Sequence, residues 1–376
     1  QLAGGANATA GTTATASAVG MAGGSGMDTV RNDGAIDLST EATLVSTSRS
    51  FQIMGVGLAD ADSDATAMVI GIDGGEGGGT MTNSSSGSIA VSSSADATAT
   101  GVSATIGVTG VSAATTSYAR STGIGGGNKK DTVYNHGAIQ ATTSSSTTAA
   151  GGSFSLAGLS SGDSLTQAHA LGIDTGDGDD TVVNTGTIEA GCMENDDPPL
   201  AYSEVASVSF SFFGISSASF GSSAWATGIS GGNGDDAILN TGTVTVGDQD
   251  WMAEGLAFGF TGNFFGFFEM ASVGARADTV SAGIDGGDGN DTILNDTGGT
   301  LGVLATSYAE SEGSGDTTFG PTAAFASSTT QATGTGINGS NGDDAIGNRG
   351  TITAAADTLA HSYAIAEAGW GSPRSD

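Results

Sequence analysis

Apolar, small and polar residues fall into fixed columns along this chain, and the columns return seven times. The first holds Met21, Ile72, Ile124, Ile173, Ile229, Ile284 and Ile337, each directly after a glycine. A second aliphatic column follows at Val30, Met81, Val133, Val182, Ile238, Ile293 and Ile346. Two residues later comes asparagine every time: Asn32, Asn83, Asn135, Asn184, Asn240, Asn295 and Asn348. A glycine and a small residue then lead into Ile36, Ile89, Ile139, Ile188, Val244, Leu301 and Ile352. Strand side chains alternate faces with a period of two, so the pattern predicts turn, short strand, turn, strand, with the apolar columns inward. The N-x-G after most short strands predicts a tight corner, glycine supplying positive φ and asparagine tolerating it. The second and sixth copies stretch that corner, Asn83 to Gly87 and Asn295 to Gly299. The asparagine column predicts an inward ladder that hydrogen-bonds the backbone at successive corners.

Between these columns small residues alternate, as in Ser117-Tyr118-Ala119-Arg120-Ser121-Thr122 and Ala224-Trp225-Ala226-Thr227. Alternation predicts strands. Ala, Ser and Thr on both faces suit thin, tightly packed sheets, and no 3.6-residue apolar stripe argues for helix.

The copies open at Gly20, Gly71, Gly123, Gly172, Gly228, Gly283 and Gly336, so the period is 49 to 56 residues. Self-similarity of this kind means that each unit is one supersecondary element stacked on its neighbours. The expected fold is all-β: a parallel β-solenoid (β-helix) of about seven ~53-residue repeats. Extended, ~53 residues run roughly 175 Å at about 3.3 Å each. That length fits one very wide, flattened coil or two to three coils of ordinary size. The chain divides into an N-terminal half-repeat (1–19), six repeats (20–335) and a C-terminal half-repeat (336–376), all in a single solenoid domain.

Charge narrows the partners. Against 40 Asp+Glu there are 8 Lys+Arg, a formal net charge of −32. Nucleic-acid binders carry clustered Lys/Arg, so that class is excluded. Anionic membrane surfaces are disfavoured, and no stretch reaches the ~18 consecutive apolar residues of a membrane span. The surplus favours a hydrated, self-repelling surface and bound cations. Cys192 is the one cysteine; it makes no intrachain disulfide and reads as a small half-buried loop residue.

Residues Gly286-Gly287-Asp288-Gly289-Asn290-Asp291-Thr292-Ile293-Leu294 follow the nonapeptide G-G-x-G-x-D-x-U-x. Gly231 to Leu239 fits as well, and Gly23 to Arg31 fits through its Asp and aliphatic positions. Here the chain resembles the RTX family of secreted calcium-binding β-rolls. The resemblance covers about 13 residues of each repeat, and it implies Ca2+ held between turn carbonyls and carboxylates of neighbouring coils. The family's Asp falls on Asp28, Asp131, Asp180, Asp236, Asp291 and Asp344. The richest turns add Asp174, Asp177, Asp179, Asp235, Asp285, Asp288 and Asp343. In the second copy the position is Gly79, and in the third it follows Lys129-Lys130, so calcium is not expected at those two turns. The competing reading is that each Asp caps backbone N–H groups of its own turn without a metal. Asp180 to Ala190, reading D-T-V-V-N-T-G-T-I-E-A, is also similar to repeats of autotransporter passengers and other secreted bacterial β-helical surface proteins. That implies an extracellular or cell-surface location. The opening at Gln1 reads as a processed or excised piece.

Neither end shows a polar capping unit, which solenoids need to remain soluble monomers. Open sheet edges pair with what is available. The expectation is head-to-tail stacking, C-terminal half-repeat on N-terminal half-repeat, giving a homopolymer. The rival is a window cut from a longer repetitive chain. Ten of the 14 Phe lie between Phe210 and Phe268, as a thickened local core or a lateral contact patch. His136, His169 and His361 sit at unrelated repeat positions without metal-ligand spacing, His136 as a solvated corner residue. Nucleotide-binding, G-x-S-x-G and H-E-x-x-H motifs are absent. Asn7, Asn83, Asn295 and Asn338 each open a glycosylation sequon. The sequence therefore favours a non-enzymatic structural subunit of an extracellular filament or surface layer, with calcium as a stiffening ion. An adhesin stalk that binds glycans or a partner cell is second, and a polysaccharide-active β-helix enzyme third.

Overall fold

In a computed structural model, residues 4–191, 200–247, 252–262, 268–317 and 320–368 are described. They form an all-β parallel solenoid in which one repeat makes one coil. Register decides this: Ile72 pairs with Ile124, Ile124 with Ile173, and Ile229 with Ile284, so residues one repeat apart are hydrogen-bonded neighbours. The wide, flattened coil is therefore the correct alternative.

Each coil has three sides. The short strands Thr29–Asn32, Thr80–Asn83, Thr132–Asn135, Thr181–Asn184, Ala237–Asn240, Thr292–Asn295 and Ala345–Asn348 stack as a seven-stranded parallel sheet at one edge. The rest of each coil belongs to a second, twelve-stranded sheet folded over on itself. Strand Ala35–Asp73 shows the path. It runs out along one wall, bends near Gly55, where φ is +126°, and returns along the other wall. Each wall is about 19 residues, so the coil is roughly 60 Å wide at about 3.3 Å per residue. The same bend interrupts the register between Gln52 and Met54 and between Ala104 and Val108.

The two walls are close enough to touch, and that explains the composition between motifs. Ser93 bonds Ser121 across the interior at 3.0 Å, and Ser117 bonds Ser145 at 2.6 Å. Thr147 meets Thr166 at 2.6 Å, and Ser160 meets Ser207 at 2.6 Å. Hydroxyls buried between apolar methyls need partners, and in these pairs the facing wall supplies them. The larger apolar columns concentrate where three sides meet. Ile72, Ile124, Ile173, Ile229 and Ile284 are fully buried there with Val133, Ile139, Ile188 and Val244.

The N-x-G corner differs from expectation in its cause. Gly34, Gly137, Gly186, Gly242 and Gly350 are not among the positive-φ glycines. Stacking requires the last four instead, Gly34 having open space: a Cβ on Gly186 would strike the carbonyl carbon of His136 at 2.8 Å, and one on Gly242 that of Thr185 at 2.8 Å. Positive φ falls in the acidic turn, at Gly176, Gly232 and Gly287.

Among its described residues the phenylalanine-rich stretch is not a thickened core. Phe220 is buried, in space left by Gly255, whereas Phe210, Phe213, Phe258 and Phe268 are exposed. Phe264, Phe265, Phe267 and Cys192 lie outside the described residues.

Candidate functional site

One coil per repeat brings all seven acidic turns together along one corner of the solenoid. Next to them runs the asparagine column. Asn32 Nδ2 donates to Asn83 Oδ1 at 2.9 Å, Asn83 to Asn135 at 2.9 Å, and Asn135 to Asn184 at 2.8 Å. The chain of amides continues through Asn240 and Asn295 to Asn348, each step 2.8 Å. The inward ladder is as expected, but its main partner is the next asparagine. Backbone contacts such as Asn83 Nδ2 to the Ala138 carbonyl, 3.2 Å, are secondary. Asn83 and Asn295 are fully buried in it, so the sequons they open are inaccessible. Asn184→Ala removes the main acceptor of the Asn135 amide and the main donor to the Asn240 side-chain carbonyl, leaving the longer contacts to the Thr187 carbonyl, 3.5 Å, and from the Gly242 N–H, 3.2 Å. It should cost about 2–3 kcal/mol, read as a lowered urea midpoint.

The turn carboxylates sort into an inner column and several outer ones. The inner column is Asp28, Asp131, Asp180, Asp236, Asp291 and Asp344, with Gly79 in the second coil. From the third coil on, each Oδ1 accepts the backbone N–H one coil before it: Gly79 to Asp131 at 2.7 Å, Asp131 to Asp180 at 2.6 Å, and Asp180 to Asp236 at 2.7 Å. Asp236 to Asp291 and Asp291 to Asp344 follow at 2.9 Å each. The capping expectation holds in altered form, because the capped N–H belongs to the neighbouring coil. The Oδ2 atoms of Asp28, Asp131, Asp180, Asp236 and Asp291 are buried and have no hydrogen-bond partner. Glycine makes room for them: a Cβ on Gly231 would lie 2.5 Å from Asp236 Oδ2.

Stacked carboxylates out of water resist ionisation. Burial pushes Asp236 up to about 7, against the hydrogen bond from Asp180 and with the charges of Asp180, Asp291 and Asp179 adding to the rise. Asp180 is pushed up to about 6, again chiefly by burial. Asp131 and Asp291 are raised for the same reason. A free aspartate titrates near 3.9. Between about pH 4 and 7 the folded chain thus keeps protons that the unfolded chain has lost. Stability should fall as pH rises through that window and level off above it. A melting series from pH 4.5 to 8 tests this, and Asp236→Asn should flatten much of the slope.

In the outer columns acids mostly alternate with neutral donors. Asp177 accepts from Asn233 Nδ2 at 2.6 Å, and Asp288 accepts from Asn341 Nδ2 at 2.7 Å. Asp285 accepts from Asn338 Nδ2 at 3.1 Å and Ser340 Oγ at 2.9 Å. Asp179 accepts the Asp235 N–H at 3.1 Å. Asp235 takes both the N–H and Nδ2 of Asn290, at 2.8 and 3.0 Å, and Asp343 donates its N–H to Asn290 Oδ1 at 3.0 Å. Asp174 is held by Arg120 at 2.6 Å. Every carboxylate expected to bind metal thus lies at the corner, one coil from its neighbours. A calcium ion needs six to eight oxygens. The inner column offers one spare oxygen per coil, and the outer oxygens already take Asn, Ser and backbone donors. Among the described residues no group of three or more acidic, His or Cys side chains is placed to hold a metal. The arrangement does not fit a calcium cage.

The amide donors Asn233, Asn290, Asn338 and Asn341 are functional partners that the sequence reading passed over. The signal was present as Asp and Asn trading places at one motif position. A second acidic row was also missed, Glu204, Glu254 and Glu310, in register on the outer wall. His136 is exposed and bonds Thr185 Oγ1 through Nδ1 at 2.7 Å. Set against known proteins, the chain matches no family model, no curated protein and no solved structure.

Proposed function

We propose that this chain is a structural subunit of an extracellular filament or surface layer, extended by head-to-tail stacking of its terminal coils. The observation that carries the reading is the state of the repeat columns in the last coil. Ile346 is 51% exposed, while its equivalents Ile238 and Ile293 are 2% and 1%. Asn348 accepts from Asn295, yet its own Nδ2 donates to no described residue. In the first coil Asn32 donates onward, and its Oδ1 receives only the N–H of Gly34, at 3.2 Å, among the described contacts. A donor end and an acceptor end of one ladder, one repeat apart in register, suit a second copy stacked in continuation.

The hydrogen-bonded corner supports assembly without calcium; divalent ions then act by screening the exposed Asp179, Asp235 and Asp343. Negative-stain microscopy with calcium and again with EGTA tests this. Filaments in both support the reading, filaments only with calcium return metal control to the turns, and dispersed particles in both refute it. A specific observation favours an adhesin as the second reading. Tyr118, His169 and Trp225 form a half-buried row on the outer wall, with centroids 5.3 and 4.4 Å apart. Stacked rings of this kind offer a platform to sugar faces.

A further inference from the structure

The edge opposite the acidic corner, where each coil bends back, is apolar and exposed. Phe51, Ile53, Ile106, Phe154, Leu156 and Phe213 are 45–67% exposed there. They come from the first four coils and form one stripe parallel to the stacking axis. Two open grooves lie along it. One of about 610 Å³ is lined by Phe51, Ile53, Ile106 and Phe154, and one of about 460 Å³ by Val108, Leu156, Phe212 and Phe213.

We propose that this stripe is a lateral interface on which a second copy of the chain docks edge to edge, pairing two solenoids side by side. Three observations select that occupant. First, charge: no Asp, Glu, Lys or Arg occurs at 97–119 or 132–162, the segments that carry the second and third bends. In a chain of net charge −32, two copies meet with least repulsion along this edge, about 60 Å from the aspartate corner. Second, area: six large apolar side chains, each about half to two-thirds exposed, lie side by side in one contiguous patch. Scattered single apolar residues are normal on a monomer, whereas a contiguous patch of this kind marks an interaction surface. Third, shape: bulky side chains alternate with grooves along one axis. A two-fold pairing sets the ridges of each copy into the grooves of the other, the isologous contact that closes without further growth. The stripe is perpendicular to the stacking faces, so the inference does not depend on head-to-tail growth.

The test uses the full chain with the last coil blocked by Ile346→Lys, which leaves side-by-side contact as the association to be measured. Sedimentation velocity should show a dimer. Adding Phe51→Ser, Ile106→Ser and Phe154→Ser should raise its dissociation constant about 100-fold or more, with the melting temperature unchanged because all three side chains are already exposed. Should the wild type never form filaments, the dimer is read directly in that protein, so the two proposals fail separately. A monomeric stacking-blocked protein at tens of micromolar overturns the inference, as does a dimer that survives the three serines. Binding of a monomeric wild type to neutral phosphatidylcholine vesicles, lost in the serine variant, also overturns it and reassigns the stripe to a lipid surface.

Discussion

Gly228→Ala should destabilise the solenoid by about 3 kcal/mol or more, the upper range for forcing one methyl into a packed core. Gly228 opens the fifth copy inside a strand, where the returning wall passes the corner. Its Cβ would enter the side chain of Val244 and lie 2.6 Å from the carbonyl oxygen of Gly283. Neither obstacle can retreat. Val244 is fully buried, and its strand is paired on both sides, with Ile188 and with Leu301. The same collision recurs down the column, Gly71 against Ile89, Gly123 against Ile139, and Gly172 against Ile188. Gly274 and Gly302 lie in strands with open space about the missing Cβ. Alanine there should change stability by less than about 0.5 kcal/mol. Urea unfolding of the three variants makes the comparison, and equal losses at all three positions would contradict the packing argument.

Ile346→Lys should abolish head-to-tail assembly while leaving the subunit folded. In interior coils this column is buried by the next coil, and covering an isoleucine contributes about 2–3 kcal/mol. The lysine loses that contribution and adds the cost of covering an unpaired charge. Together these raise the critical concentration about 100-fold or more, at 1.4 kcal/mol per tenfold. Light scattering across a concentration series reads the shift, and an unchanged melting temperature shows that the fold is intact. Filaments that persist at the wild-type concentration would place the growing contact elsewhere.

The fold was legible wherever a side chain recurs against its own copy. Periodicity at Ile72, Val133 and Asn135 specified parallel, in-register strands, because identical residues one repeat apart must become neighbours. Coil number was not legible, since the bend has no uniform turn signature: Gly55 has positive φ, while the equivalent crossing at Ala104–Val108 is a register shift. The opening glycine was visible as a column but not as a packing requirement, which needs the facing Ile188 or Val244. At the corner, the aspartates were found and their surroundings were not. Whether Asp236 faces an ion or a backbone N–H depends on which turn lies one coil away, and that follows only once the coil count is known. The apolar edge escaped notice because Phe51, Ile106 and Phe154 belong to different copies and share no motif. Only the bend gathers them.

Cryo-electron microscopy of assembled protein tests the central claim most directly. Seven coils at roughly 4.8 Å each give a subunit about 34 Å long along the stacking axis. Filaments with that rise and an unbroken ~4.8 Å layer line are what a solenoid continuing from one copy into the next predicts. A rise of roughly twice that length or more, a 4.8 Å repeat interrupted at each junction, or dispersed single particles at high concentration would contradict it.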